Sequence, residues 1–272
     1  MRYKTLILLA ITALAGFPWQ AMAGISVGMG TAGDFAVLAG STVTNTGSSV
    51  IDGGDVGVSP GSAIKGFPPG SVVAPFTTHA ADAVALQAQK DLTTAYNTAA
   101  GLAVTQNLTG QDLGGLTLVP GVYSFSSSAQ LTGTLTLNDL GDPNAQFVFQ
   151  IGSTLTTASN SSVRTINGGS MPGCTVFWQV GSSATLGTGT AFEGHILALT
   201  SITLTTGSTI LDGSALARNG AVTLDTNRIT NCVAGAVSPA SVPLPNSAAL
   251  VLGMLPIAYL AYRRFAGASA AR

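Results

Sequence analysis

The chain has 272 residues, of which 46% are hydrophobic, 8% are charged and 6% are aromatic, and its net charge is −1. Thr and Ser occur 33 and 25 times, whereas Glu occurs once and His twice. This composition excludes a coiled coil, which is rich in Glu, Lys and Leu. It argues against an enzyme because acid–base residues are scarce, and against a nucleic-acid-binding protein because no basic run is present. We therefore expect a protein without a cofactor or a bound metal.

Positions 1–23 have the pattern of a secretory signal. Arg2 and Lys4 precede an apolar run at positions 6–17, and a small-x-small cleavage site follows at positions 21–23. The apolar run is too short to span a bilayer. We expect the mature chain to begin near Gly24 and to act outside the cytoplasm, with its main domain at 24–234.

The C-terminal segment, 235–272, has a separate organisation. A linker rich in Gly, Ala, Ser and Pro is followed by the motif VPLP at positions 242–245, an apolar stretch at 248–262, and Arg263-Arg264. The apolar stretch is short compared with the roughly 20 residues of a stable span. This order resembles the PEP-CTERM class of bacterial sorting signals, although Leu244 occupies the usual Glu position. The resemblance implies processing by an exosortase at the membrane and delivery to the cell surface or matrix; a plain membrane anchor is the alternative.

A repeated Thr-Leu pair divides the middle of the chain at nearly even intervals, with one longer interval between Thr154 and Thr185. The pairs are Thr117-Leu118, Thr134-Leu135, Thr154-Leu155, Thr185-Leu186, Thr203-Leu204 and Thr223-Leu224. A Gly-punctuated unit of about 20 residues, rich in β-branched side chains, fits one coil of a β-solenoid with three short strands. The leucines Leu135, Leu155, Leu186, Leu204 and Leu224 are predicted to stack inward and the threonines to point outward. A barrel or a sandwich is the alternative.

One segment, residues 77–102, has a helical pattern. It lacks Gly until Gly101 and is rich in Ala, Gln and Leu. Thr77 or Thr78 is predicted to cap its start. A stripe at helical spacing comprises Val84, Ala88, Leu92, Ala95, Tyr96 and Ala99. The fold prediction is therefore all-β with one long helix packed along one solenoid face.

Few residues are candidates for a disulfide, for catalysis or for metal binding. Cys174 and Cys232 are the only cysteines, and in an exported chain they are expected to form a disulfide, with two free buried thiols as the alternative. Glu193 and His195 would share a strand face, which is a weak signal for an acid–base pair or half a metal site. A polysaccharide-cleaving enzyme would have to depend on Glu193, and sugar cleavage needs clustered carboxylates that the repeat region does not offer.

The remaining signal is a set of hydroxyl-rich stretches that follow the Leu positions. Stacked coils would place them in rows roughly 4.7–4.9 Å apart, with alternate residues of a strand about 6.6 Å apart. Such a flat, nearly uncharged grid favours a partner that is itself repetitive, whereas the ordinary alternative is a solvated β surface. The predicted contact residues are Thr157, Ser159, Asn160, Thr188, Thr190, Thr206, Ser208, Thr209 and Thr226.

The chain from about residue 33 to residue 232 resembles the type-1 ice-binding (antifreeze) proteins of polar microbes. The resemblance rests on LAGSTVTNTG at residues 38–47, GDVGVSPG at 54–61, VPGVY at 119–123, VFWQVGSSATLG at 176–187 and GAVTLDT at 220–226. It implies an irregular right-handed β-helix with a helix alongside. It also implies a flat ice-binding face carrying a Thr-Ala/Gly-x-Thr/Asn motif, which residues 157–160 and 206–209 match.

These observations predict an exported, monomeric protein that adsorbs to the surface of an ice crystal and inhibits growth or recrystallisation. An exosortase-type enzyme would be its partner during processing, and nucleic acid would not be a partner. A cell-surface or matrix module for adhesion or scaffolding is the alternative.

Overall fold

The computed structural model describes residues 27–232 except residues 143 and 169–171. The predicted signal at residues 1–23 and the predicted tail at 235–272 lie outside these residues. Within the described part, no helix has the length and apolar character required to cross a membrane.

Short strands are the main regular secondary structure of the described chain. Those before the helix are β1 (Phe35–Ala39), β2 (Thr42–Thr46), β3 (Val50–Asp52), β4 (Asp55–Val58), β5 (Ala63–Lys65), β6 (Ser71–Val72) and β7 (Thr78–Ala80). The helix is α1 (Ala83–Gly101). The strands after it are β8 (Gln106–Asn107), β9 (Thr117–Leu118), β10 (Gly121–Phe125), β11 (Ala129–Leu131), β12 (Thr134–Asn138), β13 (Phe147–Ile151), β14 (Leu155–Thr157), β15 (Ser162–Ile166), β16 (Val176–Val180), β17 (Ala184–Leu186), β18 (Ala191–Ala198), β19 (Ile202–Leu204), β20 (Thr209–Ala217), β21 (Val222–Asp225) and β22 (Arg228–Thr230). Short 3₁₀ turns lie at Gly30–Asp34 and Pro172–Thr175.

The strands pair in parallel and form three faces of a β-solenoid, as predicted. The helix face contains β1, β4, β7, β8, β10, β13, β16 and the second halves of β18 and β20. The threonine face contains β2, β5, β11, β14, β17, β19 and β21. The third face contains β3, β6, β9, β12, β15, β22 and the first halves of β18 and β20. Because β18 and β20 each bend from one face to the next, the helix face and the third face join into one sheet.

The coils are not stacked in chain order. Strands β1, β2 and β3 pair with β20, β21 and β22, so the first coil packs against the last. Strands β4 to β7 extend the stack beyond the first coil. The helix then carries the chain back along the stack to β8, where the remaining coils begin. Its 19 residues span about 28 Å at ~1.5 Å per residue, or about six strand spacings of ~4.8 Å.

The interior of the solenoid is apolar and contains a run of aromatic rings. Phe149 and Trp178 stack with centroids 3.9 Å apart, while Tyr123 lies 5.5 Å from Phe149 and Phe192 lies 4.9 Å from Trp178. Tyr123, Phe149 and Trp178 are register partners on adjacent strands. Equivalent positions of successive coils therefore face one another inside the stack, which is the packing that a solenoid requires.

Helix α1 packs on the helix face and buries a second apolar layer. Its buried side chains are Ala85, Ala88, Gln89, Leu92, Ala95, Tyr96 and Ala99. Outward-facing strand residues such as Val148, Phe177 and Leu197 meet this stripe. The helix face is consequently covered by protein along much of its length.

Two details of the helix prediction were wrong. Residues 78–80 form β7, which pairs with β4, and Asp82 caps the helix by accepting a hydrogen bond from Ala85 N at 2.8 Å. Strand pairing removes Thr77 and Thr78 from the helix, so neither caps it. Val84 is exposed because the true start shifts the buried stripe to Ala85.

The predicted inward row of leucines is also partly wrong. Leu186 and Leu204 are register partners on the threonine face, and Leu224 follows on β21. Leu155 pairs with Ala184 instead, and Leu135 lies on the third face. All five leucines are buried, but Thr154-Leu155 lies two residues earlier in the strand register than Thr185-Leu186, so the Thr-Leu pair alone does not give the register.

Candidate functional site

The threonine face carries a row of outward threonines in continuous register. Thr156 pairs with Thr185, Thr185 with Thr203, Thr203 with Thr223, and Thr223 with Thr44. We call these five residues the threonine ladder. The residues on either side of each one in its strand point into the core, as strand alternation requires. The result is one β-branched hydroxyl side chain per coil over five consecutive coils.

The geometry of this row is regular. Adjacent strands lie about 4.8 Å apart, so the five side chains extend over roughly 19 Å. No register shift interrupts the pairings of the threonine face among the described residues, whereas β18 and β20 of the other sheet are interrupted between Glu193 and His195. The Oγ1 atoms of Thr44 and Thr223 lie 3.4 Å apart. Register fixes the row in position along every strand.

A second row of small polar side chains runs beside the ladder, two residues earlier in each strand. Its members are Ser128, Thr154, Ser183, Ser201, Ala221 and Thr42. Several of these hydroxyls bond across the coils: Thr154 donates to Ser128 Oγ at 2.8 Å, and Ser201 N donates to Ser183 Oγ at 3.3 Å. These contacts order the second row.

The hydroxyls of the threonine ladder make fewer hydrogen bonds to protein than those of the second row. Within the described part of the chain, Thr156, Thr185 and Thr203 make no side-chain hydrogen bond to protein. Their hydroxyls therefore remain available to water. Among the described residues, charge occurs at the margins of this face: Lys65 follows Thr44 in the register at one end, Asp112 follows Gln130 at the other, and Asp225 lies two residues beyond Thr223.

The other two faces lack this combination. The helix face is covered by α1. On the third face, one outward row runs through Thr134, Ser162, Ala191, Thr209 and Arg228. Arg164, Glu193 and the exposed Leu211 stand in the neighbouring positions. Mixed size and charge make the third face irregular, so the threonine face is the only described face that presents one repeated side chain.

Three of the predicted contact residues are buried, and for these the prediction was wrong. Thr157 and Thr190 point inward and their Oγ1 atoms lie 2.8 Å apart. Ser208 is buried and its hydroxyl donates to Thr205 O at 2.9 Å. Each lies where the chain leaves the threonine face, and strand alternation or the turn directs its side chain into the solenoid. These hydroxyls satisfy polar groups inside the corner and do not reach the surface.

Five others lie at the corner between the threonine face and the third face. Ser159, Asn160, Thr188, Thr206 and Thr226 are exposed there. Backbone conformation explains two residues of this corner: Asn160 and Gly207 have φ values of 58° and 71°, whereas Thr226, with φ of 54°, is a β-branched residue in the same region. The left-handed region is most accessible to Gly and Asn. The Thr-Ala/Gly-x-Thr/Asn pattern therefore marks the corner. The ninth residue, Thr209, begins β20 on the third face.

Three members of the threonine ladder were present in the sequence as the Thr of a Thr-Leu pair. Thr185, Thr203 and Thr223 precede inward leucines and were predicted to point outward, yet they were not chosen as contact residues. Thr156 follows the pair Thr154-Leu155 by one position, and Thr44 precedes Asn45 instead of Leu. Strict alternation about the inward Leu155, Leu186, Leu204 and Leu224 would have placed four of the five members outward, Thr156 among them.

Glu193 and His195 do not share a face as predicted. Gly194, with φ of 100°, lies at the irregularity between them, where β18 bends from the third face to the helix face. The Glu193 carboxylate accepts hydrogen bonds from the Thr165 amide and hydroxyl, while burial raises the pKa of Glu193. The buried His195 bonds to Ser214 Oγ at 2.8 Å, and burial lowers the pKa of His195 to about 4. Within the described residues, no group of three or more His, Cys, Asp or Glu side chains is placed to hold a metal ion.

Cys174 and Cys232 form the predicted disulfide. Their Cα atoms lie 5.7 Å apart and 58 residues separate them. The bond joins the 3₁₀ turn before β16 to the segment that follows β22. It also contacts His195, whose Nε2 lies 3.7 Å from Cys232 Sγ. The disulfide thus links the middle of the stack to the end of the described chain.

Comparison with known proteins places this geometry among a defined family. The family model described as Ice-binding-like matches residues 37–230. An ice-binding protein of Nostoc sp. (strain HG1) is 61% identical over 251 residues, covering 92% of this chain and 91% of that protein. The crystal structure of an ice-binding protein from an Antarctic biological consortium has a TM-score of 0.70 and 44% identity, covering 83% of this chain and 96% of that one. The crystal structure of an ice-binding protein from the ascomycete Antarctomyces psychrotrophicus has a TM-score of 0.71 and 41% identity, covering 76% and 98%. The chain belongs to the ice-binding protein family.

Proposed function

We propose that this protein binds ice through its threonine face. The observation that carries the proposal is the threonine ladder, five in-register threonines on consecutive coils. The surface of an ice crystal repeats in two dimensions. A protein surface can match it when one side chain repeats at fixed spacings along and across the strands. Family membership and the names of the relatives support the same function.

The mechanism follows from the two ends of a threonine side chain. The methyl groups cannot hydrogen-bond and favour an ordered water layer over the face, while the free hydroxyls of Thr156, Thr185 and Thr203 anchor that layer. Water already ordered on a rigid surface has little further entropy to lose when it joins a crystal. Many weak contacts then hold the protein, and ice grows only as curved fronts between adsorbed molecules.

The proposed ice-binding face extends beyond the threonine ladder on both sides. The second row, from Ser128 to Ala221, adds a strip of small side chains on one side of the ladder. The exposed corner residues Thr188 and Thr206 border the other side and contribute at the margin. Thr206 donates to Asp225 at 2.5 Å, which leaves its hydroxyl less available than those of the ladder.

The proposal is tested by placing bulk at the centre of the ladder. Thr203→Tyr puts a ring between Thr185 and Thr223, prevents close approach of a flat surface, and is expected to abolish most of the thermal hysteresis. Thr136→Tyr makes the same change on the third face, where Thr136 pairs with Arg164, and is expected to leave hysteresis unchanged. Both variants are compared by circular dichroism and thermal denaturation. Equal hysteresis in folded Thr203→Tyr and in the unaltered protein would place the ice contact elsewhere.

We also propose that the protein is exported as a monomer and sorted by its C-terminal tail. The order of charged, apolar and small residues at positions 1–23 supports export, and the motif, apolar stretch and arginines at 242–264 support processing by an exosortase. Mass spectrometry of the protein recovered from the culture medium tests both cleavages. An uncut chain confined to the cell would contradict them, and sedimentation equilibrium tests the monomer.

A further inference from the structure

A groove runs beside helix α1, on the side where turns connect the helix face to the threonine face. It has two pockets. One, of about 340 Å³, is lined by helix residues including Lys90 and Thr93 and by Ser59 and Arg218. The other, of about 420 Å³, is lined by Tyr96, Gln150 and Gln179 among others. The pockets adjoin at Arg218 and Tyr96, because the Arg218 guanidinium lies 4.7 Å from the centroid of the Tyr96 ring. Both volumes are in the range of small-ligand sites.

The first pocket concentrates positive charge on an acidic domain. Residues 24–241 contain eleven acidic and five basic side chains, and two of these five, Lys90 and Arg218, line this pocket. Among the described residues, no carboxylate lies within 4.0 Å of either cation. The nearby Asp91 is already held by the Thr31 amide and hydroxyl at 2.9 and 2.7 Å. Neither cation of the pocket therefore forms an ion pair among the described residues, although Lys90 interacts electrostatically with the neighbouring Asp91.

Arg218 is held in position before any ligand arrives. Its ring contact with Tyr96 and the hydrogen bond from its Nε to Thr93 Oγ1, at 3.3 Å, fix the plane of the guanidinium. The two terminal nitrogens remain to donate. A fixed guanidinium is suited to a carboxylate, which it binds through two parallel hydrogen bonds.

The second pocket is lined by the side-chain amides of Gln179 and Gln150. Gln179 is only 7% exposed and lines the pocket, yet within the described part of the chain its side chain has no hydrogen-bond partner. Gln150 Nε2 donates to Ala99 O and Leu102 O at 2.8 and 2.9 Å, which orients that side chain and leaves its oxygen as an acceptor. No atom of the Gln179 amide is among the buried side-chain atoms that lack a partner, so this amide meets solvent in the pocket and has a free donor and a free acceptor. Vicinal hydroxyls of a sugar ring supply both complements.

We infer that this groove binds an acidic glycan, a chain of uronic acid residues. One sugar carboxylate binds Arg218 with support from Lys90, and the hydroxyls of a neighbouring sugar bind Gln179 and Gln150. The excess of six negative charges on residues 24–241 repels surfaces of high negative charge density, such as nucleic acid or an anionic bilayer. In a sugar chain with one carboxylate per ring, the carboxylate complements the two cations and the hydroxyls complement the amides of Gln179 and Gln150. None of the residues that line the two pockets belongs to the threonine ladder, so the two sites can be altered separately.

The experiment measures binding of oligouronates prepared from alginate to the purified full chain by isothermal titration calorimetry. Lys90 is exposed, so Lys90→Gln removes charge without loss of packing and is expected to weaken binding about tenfold, the effect of one charge-assisted contact. Gln179→Leu removes the free amide at similar size and is expected to weaken binding as well. Arg164→Gln, on the third face, is the matched control and is expected to bind as the unaltered protein does.

Three results would overturn the inference: no binding of the oligouronate, equal binding by Lys90→Gln, or equal binding of a neutral oligosaccharide of the same length. Displacement of the oligouronate by vesicles of anionic phospholipid would identify a membrane site instead. Thermal hysteresis is expected to be unchanged in Lys90→Gln, and glycan binding is expected to be unchanged in Thr203→Tyr. The two sites can thus fail separately.

Discussion

Docking of helix α1 is predicted to depend on Leu92, which is 0% exposed and lies in the apolar layer between helix and sheet. Leu92→Ala leaves a cavity against residues such as Phe177 and Leu197. Strands paired on both sides hold these residues, so the sheet cannot collapse into the space. Buried Leu→Ala substitutions cost about 2–5 kcal/mol, and we expect a loss of about 3 kcal/mol.

The measurement is the free energy of unfolding from urea titration, together with the thermal midpoint. In a domain of this size, a loss of about 3 kcal/mol corresponds to a fall in Tm of about 6–12 °C. The matched control is Leu86→Ala, the same substitution in the same helix at a side chain that is 47% exposed, for which we expect a change within about 0.5 kcal/mol.

Two results would refute this reasoning. A loss below about 1 kcal/mol for Leu92→Ala would mean that the helix is not held by its buried stripe. Equal losses for both variants would mean that helix propensity, and not packing, decides the stability. Thermal hysteresis of folded Leu92→Ala near the freezing point is expected to be unchanged, since the helix and the threonine ladder lie on different faces.

The remaining predictions concern the disulfide and the buried histidine. Replacing Cys174 and Cys232 by Ser opens a loop of 58 residues and is expected to lower the free energy of unfolding by about 4 kcal/mol in the loop-entropy model; an unchanged urea midpoint would contradict this. His195 has a pKa lowered to about 4 by burial, against about 6.5 when unfolded, so the unfolded state binds more protons between these values and stability falls as pH drops from about 6.5 to about 4. Asp139 acts in the opposite sense, because burial raises its pKa to about 6 and its contribution is lost as pH rises towards that value. In the variant Asp139→Asn, stability is therefore expected to rise more steeply with pH between about 4 and 6.5 than in the unaltered protein, in which Glu193 and Asp212 also have raised pKa values; an unchanged slope would contradict the opposing role of Asp139.

Local patterns in the sequence were sufficient for the general architecture. Short repeating units punctuated by Gly predicted the solenoid, and the Gly-free segment before Gly101 predicted one helix. The pairs Thr185-Leu186 and Thr203-Leu204 correctly predicted inward leucines and outward threonines in register. These inferences succeed because alternation along a strand and periodicity along a helix are properties of the local backbone.

The predictions failed where the strand register depends on residues that are far apart in the sequence. The pair Thr154-Leu155 lies two residues before the register position of Thr185-Leu186, so Thr156 and not Thr154 aligns with Thr185. The corner residues were mistaken for a flat surface because hydroxyl-rich composition does not distinguish a strand from a turn. Thr157 and Ser208 show the consequence, since their hydroxyls serve the interior of the corner.

What the sequence determined by itself was a repeating coil with apolar side chains inside and short hydroxyl side chains outside, because the period of two along a strand is a property of the backbone and of nothing further away. Only the tertiary structure decided which hydroxyls form one surface. Thr44 joins Thr223 across 179 residues because the first coil packs on the last. Helix α1 packs on the helix face, and charged side chains make the third face irregular. The remaining face is left to water because successive coils contribute a threonine to the same row of the stack.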